Sequence, residues 1–202
     1  MSLALLVHAC DKHSFVFERF LNAFEYFNLD IPCYFSTESS SINNKKFKNI
    51  NINESIWSKR FKLVLNNIQE KNIVLLQEDF IVKYFNKELF LSLYNFHNEQ
   101  DSDITKTGSF PTFSLKNTSY KNIYAQNNGH YLMSHQPIAI FKKEFLLSTL
   151  DIDQNASQHE MYWSEKIKNK KIFCYGLNHL EHQMNNEIFA YEHVIRQGKL
   201  IA

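Results

Sequence analysis

Glu78 and Asp79 are the residues best placed by type and spacing to do chemistry. They follow Asn72-Ile73-Val74-Leu75-Leu76-Gln77, a short apolar run bounded by polar residues. Continuous Val, Ile and Leu without alternation predicts a strand buried on both faces, as in a parallel sheet. Two carboxylates at the carboxyl end of such a strand stand where open α/β sheets bind their ligands. There they can hold a divalent cation through hard oxygen ligands or act as acid or base. The plainer reading is a solvated acidic turn that caps the next helix.

Other elements must position that pair. Leu3 to Val7 reads as a second buried strand, ending in His8-Ala9-Cys10-Asp11-Lys12-His13-Ser14. Phe15, Phe17, Phe20, Leu21, Phe24 and Phe27 then recur at near-helical spacing, with Ser14 as the expected N-cap. Ile31 to Ser36 reads as a third strand, and the Ser-, Asn- and Lys-rich run from Thr37 to Asn53 as a loop. A helix opening at Ser55-Ile56-Trp57-Ser58 carries Phe61, Val64, Leu65 and Ile68 on one face. Asn86 to His97 reads as another helix. Strand, helix, strand in this order is a βαβ pattern. The region from Asp101 to Asn128 is polar with short β-like pieces, among them Thr112 to Leu115 and Asn122 to Ala125. Gly129 to Phe141 reads as two strands broken at Pro137, followed by a short helix from Lys142 to Leu147. A helix over Met161 to Ile167, a strand over Lys171 to Tyr175 and a turn at Arg196 to Leu200 complete the expectation.

The 202 residues suit one domain with a sizeable core. Aromatic residues make up 15%, too many for a disordered chain. A formal net charge of +1 gives no electrostatic case for nucleic acid. With 4 glycines, none in a phosphate-loop spacing, any phosphate must be met by side chains or a helix N-terminus. Cys10, Cys33 and Cys174 are widely spaced, which suits a reducing cytoplasm. Leu3 to Val7 is far too short to span a bilayer. Val7 to Cys10 lacks the positive region a lipoprotein signal would have. His179 and His182 are three apart but have no third ligand in view.

Five blocks, taken together, carry a resemblance. They are Leu6 to Ser14, Trp57 to Phe61, Leu75 to Phe80, Tyr131 to Phe141, and Glu160 with the closing Arg196-Gln197-Gly198-Lys199. In this order they resemble a family of bacterial glycosyltransferases of surface-polysaccharide synthesis. The likeness spans nearly the whole chain. It implies a GT-A (nucleotide-diphospho-sugar transferase)-like fold: three layers, Rossmann-like, with a mixed, mostly parallel sheet flanked by helices. Residues 1–100 would form the nucleotide-binding half of a single domain and 101–202 the acceptor-side half. Two positions depart from the pattern: Gln77-Glu78-Asp79 stands where an Asp pair is usual, and Gln158-His159 replaces an aromatic before the glutamate.

The resemblance also implies roles. Asp79, then Glu78, would hold a divalent metal, manganese or magnesium, on the donor diphosphate. The turn from Cys10 to His13 would meet the base and ribose, with Asp11 accepting a hydrogen bond or else capping the following helix. Lys12 and Arg60 would offset phosphate charge, Trp57 and Glu78 would contact the nucleotide sugar, and Arg196 and Lys199 would close over the diphosphate. Glu160 would be the base for the acceptor hydroxyl, with His159 as the alternative because an imidazole near pKa 6.5 suits proton transfer. The partners implied are a nucleotide-sugar donor and a glycan or lipid-linked acceptor met at the inner membrane face by a cytoplasmic protein. The rival from another class is a non-catalytic relative that binds carbohydrate or serves as a scaffold. A metal-dependent hydrolase lacks the clustered His/Asp pattern it would need.

Overall fold

The computed structural model describes residues 2–108, 115–126, 138–161, 166–167, 169–176, 186–196 and 199–201, except the side chains of Glu160, Met161 and Arg196. The expectations over 112–114, 129–137 and 162–165, and the pair His179 and His182, lie outside these residues.

Strand β1 (Leu3–His8) is buried along its whole length. Leu3, Leu5 and Val7 face one core while Ala4 and Leu6 face another. This is the two-sided burial that an unbroken apolar run demands. The chain continues through a 3-10 turn at Asp11–Val16, α1 (Phe17–Ala23) and a second 3-10 turn at Phe24–Tyr26. Phe17, Phe20, Phe24 and Phe27 are buried, as the spacing predicts. Ser14 is not the cap: it lies inside the first 3-10 turn, which Cys10 precedes, and Val16 precedes α1 without a side-chain cap.

Strand β2 (Cys33–Thr37) is followed by β3 (Phe47–Asn51) inside the run expected to be a loop. Only Phe47 and Ile50 of β3 are buried, and parallel pairing from Cys33↔Phe47 onward supplies what composition does not. Helix α2 (Trp57–Asn66) buries Phe61, Val64 and Leu65. The acidic strand is β4 (Asn72–Leu76), and it leads into β5 (Phe80–Phe85) rather than a helix. Helix α3 (Lys87–Glu99) is capped by Asn86, whose side chain accepts from the Leu89 amide. Asn86→Ala should therefore lower stability by about 1 kcal/mol, read as a shifted urea midpoint with unchanged slope.

The later elements are β6 (Ile104–Lys106), β7 (Leu115–Asn117), β8 (Ile123–Gln126), β9 (Ala139–Lys142), α4 (Lys143–Ser148), α5 (Ala156–Met161), β10 (Ile172–Tyr175) and β11 (Phe189–His193). Ile195–Arg196 and Lys199–Leu200 pair as a short hairpin. The main sheet runs β3-β2-β1-β4-β9-β6-β10-β8-β7. Only β9 and β8 run against the other strands. Residues of α1 and α3 pack on one face, and residues of α2 and α4 on the other, giving three layers. A separate ribbon pairs β5 with β11 antiparallel, with a register shift at Ala190/Tyr191.

Candidate active site

Because β1 and β4 are parallel neighbours with Val7 beside Leu76, the turns that leave them emerge side by side. Between them and the start of α5 lies a cleft of about 530 Å³. Cys10, Lys12 and His13 line it from the first turn, and Gln77, Glu78 and Asp79 from the second. Trp57 and Arg60 contribute from α2, and Asn155 to Ser157 from the opening of α5.

Glu78 is almost fully buried, and three donors converge on its Oε1: His13 Nδ1 at 2.8 Å, the Cys10 amide at 3.4 Å and Cys10 Sγ at 3.7 Å. Burial, and then the charge of Glu78, push the Cys10 thiol up to about 12. Asp79 is held from the other side by the β5–β11 ribbon. His193 Nε2 lies 2.8 Å from its Oδ2, and its carbonyl accepts from the Val194 amide at 3.0 Å. Asp79 Oδ1 is buried and has no hydrogen-bond partner among the described residues.

Arg60 is buried and forms an ion pair with Glu38, which also accepts from the Asp11 amide at 2.7 Å. His8 Nδ1 lies 2.8 Å from Ser36 Oγ, whose own proton goes to the Val7 carbonyl, so Nδ1 is the protonated nitrogen. Burial and then Arg60 hold the His8 pKa well below the ordinary imidazole value. The His8 ring stacks on Phe61 at 4.6 Å, with Trp57 edge-on at 5.7 Å.

Lys12, Trp57, Arg60, Glu78 and Asp79 thus share one cleft. Asp11 does not line it. Its carboxylate accepts from the Ser39 amide and hydroxyl, at 3.0 and 2.6 Å, and from the Ser40 amide at 3.2 Å. Burial alone would raise its pKa, but those hydrogen bonds outweigh it and hold the carboxyl low. His159 points away as well, 2% exposed, with Nε2 at 3.1 Å from Thr149 Oγ1 and its ring at 5.1 Å from Trp57. Burial, and then Lys166, bring its pKa down to about 4, which is at odds with a base working near neutrality. Glu160 lies on the same short helix, three residues beyond Ser157. Lys199 is exposed on the closing hairpin, outside the cleft lining, and Arg196 is its strand partner.

His8, Glu38 and His193 carry no sequence signal that marks them for this site. Glu38 sits in a serine-rich run with no motif, and His193 reaches Asp79 only through the register of the ribbon. Among the described residues, the one group of His, Cys, Asp and Glu atoms close enough to share an ion is Cys10, His13 and Glu78. That set mixes sulfur, nitrogen and oxygen, where oxygen ligands centred on Asp79 were expected.

No protein-family model matches the sequence, and no curated protein matches it. Solved structures do. Residues 1–349 of S. aureus TarS superpose with a TM-score of 0.54 at 12% identity, over 95% of this chain and 59% of that one. The same protein in complex with UDP-GlcNAc gives 0.54 at 16% identity, over 95% and 57%. A cytidylyltransferase from Leptospira borgpetersenii gives 0.56 at 13%, over 87% and 76%. The fold is of the GT-A and nucleotidyltransferase kind. The chain spans about six-tenths of the TarS structure it matches.

Proposed function

We propose that this chain is a cytoplasmic glycosyltransferase. It would move a sugar from a nucleotide-sugar donor to a glycan or lipid-linked acceptor at the inner membrane face, in surface-polysaccharide synthesis. The observation that carries this reading is the cleft at the carboxyl ends of β1 and β4, where Glu78 and Asp79 face the Cys10 to His13 turn. In this fold that crevice is where ligands bind, and UDP-GlcNAc is the ligand of one TarS structure.

Lys12 and Arg60 stand ready to offset diphosphate charge, and Trp57 gives a flat apolar wall for a ring. Arg60 is already paired with Glu38, so Lys12 is the cation more open to a new anion. Against these two cations the lining sets Glu38, Glu78 and Asp79. A diphosphate beside that many carboxylates calls for a divalent cation, which when bound acts as Lewis acid on the departing oxygen. Glu160 remains the proposed base, on the helix whose first turn forms the cleft wall. No described helix is long and apolar enough to cross a membrane.

Calorimetric titration with UDP, GDP and CMP, with and without a divalent metal, tests the reading. One nucleotide should bind, more tightly with the metal, and Glu78→Gln should weaken that binding by about tenfold or more, about 1.4 kcal/mol. Failure of all three nucleotides to bind would remove the transferase. The inward position of His159 favours one second reading, a relative that binds the nucleotide sugar without transferring from it. Release of free nucleotide in the presence of acceptor glycans separates the two.

A further inference from the structure

We propose that Cys10, His13 and Glu78 form a zinc site, with three protein ligands and one coordination position open to the cleft. The site stands on the geometry of these three side chains and not on the transferase reading.

Cys10 and His13 are three residues apart across a 3-10 turn, which the His13 amide closes by donating to the Cys10 carbonyl at 3.0 Å. That turn brings the Cys10 thiol and the His13 imidazole to the same carboxylate oxygen of Glu78. Glu78 meets them from the neighbouring strand end, and one ligand atom from each residue lies within 4.8 Å of the other two. Tetrahedral zinc, with bonds of about 2.3 Å to sulfur and about 2.0 Å to nitrogen and oxygen, sets sulfur and oxygen about 3.5 Å apart and nitrogen and oxygen about 3.3 Å apart. Cys10 Sγ and Glu78 Oε1 are already 3.7 Å apart. His13 Nδ1, now 2.8 Å from Oε1, needs to open by roughly half an ångström when the ion replaces the proton between them.

One further observation points to an ion there: Glu78 is a buried carboxylate whose hydrogen bonds come only from neutral donors and a histidine. A thiolate and a carboxylate together balance the two charges of zinc. Sulfur and nitrogen donors select zinc over magnesium, which takes oxygen ligands in near-octahedral array. Three protein ligands and an opening are the arrangement of zinc sites that act on a ligand, and here the opening faces the proposed diphosphate position.

Metal-free protein titrated with zinc against a chromophoric chelator should take up one equivalent. Cobalt as a spectroscopic substitute should give a thiolate-to-cobalt charge-transfer band. Cys10→Ser should abolish the band, and both Cys10→Ser and His13→Asn should weaken zinc binding by about tenfold or more. Cys33→Ala, at a buried thiol near the far end of β2, should change neither. Circular dichroism confirms that each variant is folded, and the cobalt spectrum of the unaltered protein tests the thiol ligand without any variant. No stoichiometric uptake, no charge-transfer band, unchanged binding in Cys10→Ser, or displacement of zinc by excess manganese or magnesium would each overturn the site. Zinc uptake without nucleotide binding keeps the site and removes the transferase; the reverse outcome does the opposite.

Discussion

Phe61→Ala is expected to lower the unfolding free energy by about 3–5 kcal/mol, a large part of the total for a domain of this size. Phe61 is fully buried at the middle of α2, in the core that also holds Leu6, Val64 and Ile73. Its ring lies 4.6 Å from that of His8 and 5.2 Å from that of Trp57. Removing it leaves a cavity and takes away the surface on which two cleft residues rest. Nucleotide affinity should therefore fall together with stability, even though Phe61 is not itself part of the lining. Urea unfolding of the two proteins checks the first claim. A loss below about 1 kcal/mol would mean that the helix repacks around the gap and the cleft wall does not depend on this ring.

Acid should destabilise the fold well before the carboxylates are protonated. His97 and His159 are each 2% exposed. Burial, aided by Lys142, brings His97 down to about 4, and burial, aided by Lys166, does the same for His159. In the unfolded chain both return to about 6.5. The folded pKa values are depressed, so the unfolded state binds more protons as the pH falls. Stability from this source is complete above about pH 6.5 and drains away toward pH 4, by up to about 3 kcal/mol for each histidine. His8 acts in the same direction. Urea midpoints between pH 7 and pH 4.5 should fall steeply. His97→Gln, which keeps polar groups for Thr105 and Asn72, should flatten the curve. A flat profile in the unaltered protein would show that these rings are protonated inside the fold without penalty.

The central strands were legible because burial on both faces leaves an unbroken apolar signature. Leu3 to Val7 and Ile73 to Leu76 carry it, and their parallel pairing places the acids beside the Cys10 to His13 turn. Strand β3 was not legible, since Lys48, Asn49 and Asn51 read as loop and only pairing with β2 makes a strand of them. The two acids at the strand end are legible in the sequence, but their partners are not. His13 lies 65 residues from Glu78 and His193 lies 114 residues from Asp79, separations at which local spacing holds no information. The partners of Asp11 are equally hidden from local spacing: its carboxylate is met by the amides of the Ser-rich loop.

The β5–β11 ribbon has a consequence for biosynthesis. During translation, Phe80 to Phe85 leave the ribosome with an unpaired edge, and the strand that covers them is made about a hundred residues later. Until then Asp79 has neither its histidine nor the amide that fixes its carbonyl. A nascent chain can thus complete much of the sheet while Asp79 is still unfixed, with a bare strand edge open to other chains. Holdase chaperones that recognise such edges would be most needed in that interval, and synonymous codons that slow synthesis before Phe189 would lengthen it.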